Sequence, residues 1–405
     1  MIDDLPRIDG VPVTSMVTPG DAPAVAELLA DAANLGQSVI PVGGGTALAL
    51  GNPPGSADIA LSTRGLGGII DYEPFDLVLS VGAGARLGDV QAVLAEHGQT
   101  LPIDPPGGDD ATIGGLIATA LTGPLRHSAG SLRDLLIGIS MAHPSGTVTK
   151  AGGMVVKNVS GFDLPRVYHG SLGTLGVIVS ANFKVLPLPR TEATIVARFA
   201  GIEEAMLAAT TIRTRVANAA AIESGWLDDE WFVAVRFTGR EPSVRNGLAA
   251  ATEVLVADTA IFDRADSAAW WKRYQAALSL TANDEDEVLI RCAVRPRTTA
   301  ALALGLVAKL PVLGATPSFL GASVGLGAVL VRFQLHDGSA DRLAELQMIL
   351  LGLANNLTIL AAPPAWKAGL DVWGRTPETL DLMQAMKEQF DPHRVLNPGR
   401  FAGFI

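Results

Sequence analysis

The sequence predicts an α+β protein of two domains, and three observations carry that expectation. The chain has 405 residues, more than one hydrophobic core usually serves. Its first half sets helices and short apolar strands around two glycine-rich turns. Beyond Pro187, Pro189 and Arg190 the pattern changes to longer helical stretches alternating with strands, the mark of a separate α+β unit.

Asp21 is placed to cap a helix in which Val25, Leu28, Leu29 and Ala32 recur at helical spacing until Gly36 ends it. A strand at 38–42 follows, then Gly43-Gly44-Gly45-Thr46, then a strand at 57–62. This first subdomain closes near Gly68. The second opens with a strand at 77–81, a glycine turn, a helix at 87–96 stopped by Gly98, and a strand at 101–103. Strand composition on both sides of Pro144-Ser145-Gly146 predicts a hairpin over 135–150. In the second half, helices are expected near 203–215 and 245–251, with a strand at 231–237. The boundaries so drawn are 10–189 for the first domain, with subdomains of about 10–68 and 69–189, then 190–375 for the second, and 376–405 for a segment returning to the first.

Composition removes several function classes. A net charge of −11 without any Lys/Arg-dense stretch supplies no attraction for nucleic acid or anionic lipid. Cys292 is the one cysteine, so the chain forms no internal disulfide and no iron–sulfur site of its own. The six histidines are scattered, and no metal site is expected. The opening MIDDLPRIDG lacks the basic and apolar regions of a secretory signal, which points to the cytoplasm. Two uncharged stretches, 310–331 and 346–366, are broken by Pro311, Pro317, several glycines and Pro363-Pro364. They read as strands and turns of a core, with surface left over for an interface, and not as membrane spans.

Three glycines after a strand let backbone N–H groups approach an anion, which suits 43–46 to a pyrophosphate; a plain tight turn explains them equally. Gly82, Gly84 and Gly88, with Asp104 some way on, imitate a dinucleotide fingerprint and are the rival site for a nicotinamide cofactor. No Gly-Lys-Ser/Thr accompanies either turn, so an ATP-type phosphate loop is not supported.

Three further segments decide between these. They are Pro105-Pro106-Gly107-Gly108-Asp109-Asp110-Ala111-Thr112-Ile113-Gly114-Gly115, the phrase GGMVVKNVSGFDLPRVYHGSLGTLGVI at 152–178, and FDPHRVLNPGRF at 390–401. With them the sequence resembles the FAD-binding domain of the vanillyl-alcohol oxidase/PCMH family. GPLRHSAGSLRD at 123–134 narrows the likeness to the smaller flavin-binding subunits of bacterial glycolate oxidases. The resemblance implies a two-subdomain PCMH-type FAD-binding domain followed by an α+β cap domain, with FAD held without a covalent bond.

By the same resemblance the cofactor falls to Pro41, Gly43, Gly44, Gly45 and Thr46 in the first subdomain. Pro106, Gly107, Ala111, Thr112, Gly114 and Gly115 serve in the second. Gly161, Asp163, Gly173, Thr174, Gly176 and Ile178 shape the strand and turn beside it, and Asn397 comes from the tail. For the 161–178 group, turn formation and packing are an equal explanation.

The resemblance also implies oxidation of a short 2-hydroxy acid, such as glycolate or D-lactate, or relay of its electrons. Such oxidation needs a proton acceptor and a cation for the carboxylate. Arg126, His127 and Arg291 are the candidates, with Lys272 and Arg332 as further cations. The histidine-rich box of the related larger subunits is missing, and VLIRCAVRP at 288–296 keeps Arg291 without the family's tryptophan. Trp270, Trp271 and Trp366 read as core or interface aromatics. The partners implied are a larger flavin subunit and an iron–sulfur subunit, the latter bringing the assembly to the inner membrane. A stand-alone FAD-dependent alcohol or sugar oxidoreductase and a scaffold subunit with structural or no FAD stay open.

Overall fold

Asp21 starts the first helix, α1 (Ala22–Leu35): its carboxylate accepts the Ala24 N–H at 2.8 Å, one of the donors a helix start leaves unpaired. Gly36, at φ 66°, ends it. The structure, a computed structural model, describes residues 7–155, 162–281 and 285–405. It divides into two units.

Unit 1 comprises Met1–Leu121, Ser131–Leu188 and Lys367–Ile405. Its smaller sheet is parallel, with β1 (Ser15–Val17) and β2 (Val39–Val42) on either side of β3 (Ile59–Ser62). The buried Val25, Leu29 and Ala32 of α1 pack on it, together with Val395 and Leu396 from the tail. The tail also extends the sheet: Val39 donates to the Val395 carbonyl at 2.7 Å, and Asn397 donates back to the Val39 carbonyl at 3.0 Å.

The larger sheet of unit 1 is antiparallel, built from β4 (Ile69–Glu73), β5 (Val78–Gly82), β6 (Leu136–Ala142), β7 (Val148–Gly152) and β8 (Val177–Lys184) in the order β7-β6-β8-β5-β4. The hairpin at 135–150 is the β6–β7 pair. Two helices, α2 (Leu87–Glu96) and α3 (Ile113–Thr119), close one core with this sheet around Leu79, Val81, Leu94, Ile117 and Phe183. The strand expected at 101–103 is a loop; pairing falls one step earlier, at Gln99–Thr100, because Pro102 has no N–H to continue a ladder.

Unit 2 is Pro189–Trp366 together with Thr122–Gly130. The excursion contains the short helix α4 (Arg126–Ala129). The rest is an eight-stranded antiparallel sheet: β9 (Thr191–Phe199), β10 (Ala221–Leu227), β11 (Glu230–Gly239), β12 (Asp258–Phe262), β13 (Glu287–Ala293), β14 (Ala315–Ser323), β15 (Ala328–Leu335) and β16 (Asn356–Ala361). Their order is β12-β9-β11-β10-β14-β15-β13-β16. Helices α5 (Ile202–Arg215), α6 (Glu241–Val254), α7 (Arg264–Ala277), α8 (Thr299–Val312) and α9 (Ala340–Leu350) connect them, and unit 1 ends with α10 (Leu380–Phe390).

Both uncharged stretches are largely core. Phe319, Leu320, Val329 and Val331, and likewise Leu346, Leu350, Leu357 and Ile359, are buried within unit 2, while Val312, Met348 and Leu353 are exposed. The first begins inside a helix, since α8 runs to Val312 with Pro311 in its last turn. Trp270 and Trp271 are buried with Tyr274 against β11. No helix among the described residues is long and apolar enough to cross a membrane.

Candidate functional site

The glycine turn after β2 sits at one end of a cleft within unit 1. Pro41, residues 43–48, Pro106, Ala111, Thr112 and Gly115 line it, with Leu116, Ala118, Thr119, Leu121, Leu172, Gly173, Asn397 and Arg400. Side chains are absent where the walls meet most closely. A β-carbon on Gly43 would lie 2.0 Å from Thr112 Oγ1, and one on Gly44 would lie 2.2 Å from the Asp110 carbonyl oxygen. The glycines therefore let the 105–112 loop close on the turn, which brings the backbone of both to one place.

The polar atoms around the cleft are left wanting partners. Thr112 Oγ1, Asn397 Oδ1 and Arg400 Nε are buried without a hydrogen bond among the described residues, and such atoms in a native interior call for a ligand or water. Asn397 is held for the purpose at φ 45°, its Nδ2 donating to the Leu172 carbonyl at 2.5 Å. A cleft of bare backbone, small hydroxyls, one amide and one guanidinium suits a molecule that carries phosphates and a flat apolar ring.

Not every residue expected at the cofactor lines this cleft. Gly107, at φ 87°, packs on Thr46, and Gly114 packs on Ala83, where a β-carbon would lie 2.9 Å from the Ala83 methyl. Asp163 is exposed and paired with Arg166 at 2.6 Å. Thr174 is buried and donates to the Ser171 carbonyl at 2.7 Å. Gly176 packs on Met141 and Ala142, and Ile178 is a core residue of β8; Gly161 lies outside the described residues. Arg400 and Leu172 were not anticipated, although both stand beside residues that were.

The rival fingerprint has a different use. A β-carbon on Gly82 would meet the Leu66 carbonyl, and one on Gly84 the Thr63 carbonyl, each at 1.9 Å. Those glycines seat β5 against the 63–67 turn, and neither lines the cleft.

Unit 2 gathers all three catalytic candidates. His127 lies on Gly325, where a β-carbon would be 2.2 Å from Nδ1, and burial lowers its pKa, so the ring is neutral at neutral pH. Arg291, on β13, is partly buried; burial first, and the charge of Arg126 second, lower its pKa. Neither arginine has an ion pair or side-chain hydrogen bond among the described residues. Arg332 is spent elsewhere, donating to Glu287 at 2.6 Å and to the Ala277 carbonyl at 3.3 Å, while Lys272 is exposed on α7. Arg291 is opposite Leu330, and Leu330 is opposite Gly321, so Arg291 shares the face of the sheet that α7 covers. On that face Glu223 accepts hydrogen bonds from Tyr274 at 2.7 Å and Ser323 at 2.6 Å.

A family model described as the FAD binding domain matches residues 13–152, and one described as the C-terminal domain of FAD linked oxidases matches 373–401. The chain thus carries an FAD binding domain over 13–152 and a segment like the C-terminal domain of FAD linked oxidases over 373–401. FAD is the cofactor that these domain matches support, and the cleft's chemistry fits it. Among curated proteins the chain is similar to glycolate oxidase subunit GlcE of Escherichia coli K12, 41% identical over 140 residues, which is 34% of this chain and 40% of that protein. It is similar to glycolate oxidase subunit GlcD of Bacillus subtilis 168, 28% identical over 50% of this chain and 43% of that one. The match to the D-lactate dehydrogenase of Archaeoglobus fulgidus is 26% identical over 95% and 90%. The chain thus spans about two fifths of the length of the first two relatives. A solved alkyldihydroxyacetonephosphate synthase shares the fold, with a TM-score of 0.69 at 16% identity over 95% of this chain and 77% of the other.

Proposed function

We propose that this chain is an FAD-dependent oxidoreductase for a short 2-hydroxy acid, working as the smaller flavin subunit of a glycolate oxidase-like complex. The single observation that carries the substrate class is the Arg126–Arg291 pair: two neighbouring arginines in unit 2 with no carboxylate of the described chain to neutralise them. Two such cations suit the carboxylate of a 2-hydroxy acid, which a guanidinium fork can accept in bidentate fashion. His127, neutral and beside Arg126, is the group that takes the hydroxyl proton as the carbonyl forms. FAD, when bound, supplies the acceptor for the remaining hydrogen and its electron pair. Among the cleft's lining residues there is no His or Cys, which supports a cofactor held without a covalent bond, by Pro41, 43–46, Ala111, Thr112, Gly115, Gly173 and Asn397.

The partnered reading rests on the likeness to two glycolate oxidase subunits. In it the electrons leave through a larger flavin subunit and an iron–sulfur subunit, which would also hold the assembly at the membrane face. The deciding experiment adds glycolate or D-lactate anaerobically to the purified yellow protein, alone and with those subunits. Bleaching near 450 nm that requires Arg291 supports the proposal; a flavin that no 2-hydroxy acid reduces in either setting overturns it.

A further inference from the structure

Arg400 is the only charged residue among the described residues that line the cleft. It is 4% exposed, and its Nη2 donates to the carbonyls of Leu48 and Leu50, 2.6 Å from each. Close by, Lys367 is wholly buried; its ammonium is bonded to Asp9 and donates to the Ala49 and Gly51 carbonyls at 2.8 and 3.1 Å. Asp9 acts on both cations. Two buried positive charges from the C-terminal segment thus share one carboxylate, and both grip the strip of backbone that follows the glycine turn.

A buried charge left partly uncompensated is costly unless something of opposite sign arrives. We propose that Arg400 is the counter-charge for the diphosphate of FAD, so that the 367–405 segment is latched by the cofactor it helps to bind. This rests on the FAD reading of the cleft. Two observations converge on it: the orphaned Nε and the lone cation among the described lining residues of the cleft. Burial holds the guanidinium pKa down to about 10, in keeping with a cation short of partners. Backbone donors alone can cradle phosphates, and in that case Arg400 would serve only to tie the 48–50 carbonyls to the tail.

The two roles separate in a binding experiment on the apoprotein with ADP, which carries the diphosphate, and adenosine, which does not. Arg400→Gln keeps donors for the two carbonyls and removes the charge. It is expected to weaken ADP by roughly 10- to 100-fold with adenosine unchanged, while Arg400→Lys stays much nearer to wild type. Equal ADP affinity in wild type and Arg400→Gln would overturn the assignment. Should Arg400→Gln not fold, hydrogen exchange of the wild type decides: ADP slows exchange over 391–405 and adenosine does not, and equal protection by both refutes the latch. A wild-type protein that binds neither FAD nor ADP sinks the cofactor reading itself, whereas FAD binding indifferent to Arg400 sinks only this inference.

Discussion

Tyr274 of α7 donates its phenol to Glu223 of β10 at 2.7 Å, and Ser323 donates to the other carboxylate oxygen at 2.6 Å. Among the described residues no arginine or lysine shares in the interaction, so desolvation outweighs the two donors and raises the Glu223 pKa from 4.5 to about 7. The folded protein therefore keeps a proton that the unfolded chain releases between those values. Stability falls as pH rises from about 4.5 to about 7, by on the order of 3 kcal/mol from this group. Glu223→Gln is expected to flatten that slope, read as denaturant midpoints at pH 5 and pH 7.5. Parallel pH dependence in the two proteins would show that Glu223 ionises freely.

For the arginine pair, Arg291→Gln and Arg126→Gln are each expected to raise KM for the 2-hydroxy acid roughly 10- to 100-fold. FAD occupancy is expected to stay at wild type. Loss of flavin in either variant would argue for a structural role.

Because His127 is half-buried, desolvation holds its pKa below 6.5, and its basic form is present at neutral pH. The acid limb of kcat/KM is thus expected below pH 6.5, with activity lost as pH falls through the lowered value. His127→Gln removes the limb along with most of the rate. An unchanged acid limb in that variant would assign the proton to another group.

Gly44 and Gly114 separate two ways of losing the cofactor. A side chain on Gly44 collides with the Asp110 carbonyl and prises the 105–112 loop from the turn, so Gly44→Val gives a folded, colourless protein. Gly114→Val presses on Ala83 within the core and costs about 1–3 kcal/mol of stability. Absorbance at 450 nm together with thermal melting distinguishes them.

Lys387 is 1% exposed and donates to the Thr174 and Leu396 carbonyls at 2.9 and 2.8 Å and to Asp391 at 2.7 Å. Lys387→Met leaves Asp391 buried without its cation, and a destabilisation of about 3–5 kcal/mol is expected, measurable by chemical denaturation. A loss below 1 kcal/mol would mean that the Val395 and Leu396 N–H donors satisfy Asp391 unaided.

Local chemistry made much of unit 1 legible. Asp21 and Gly36 mark the ends of α1, Pro144-Ser145-Gly146 marks the hairpin, and 43–46 follow a strand as a phosphate-type turn should. Legibility failed where the cause is tertiary. Gly82 and Gly84 look like a nucleotide fingerprint because a β-carbon is forbidden there, but the forbidding atoms are the carbonyls of Leu66 and Thr63, remote in no local pattern. Helix α8 escaped because Ala and Leu surround it without a polar face, so no 3.6-residue period survives. Glu223 gave no sign in sequence of losing water entirely, and Arg400 reads as a closing-phrase arginine until its neighbours are known.

The pairing of Val39 with Val395 and Asn397 has a consequence for biosynthesis. At about 5–20 residues per second, a ribosome that has made β2 needs roughly 20–70 seconds more before its bonding partner is polymerised. During that interval β2 presents an open edge to solvent, and the continuous 189–366 stretch of unit 2 emerges before unit 1 can close. A nascent chain stalled short of Val395 should therefore be the species that chaperones and proteases find, and its capture of added flavin should begin only once the final phrase has cleared the exit tunnel.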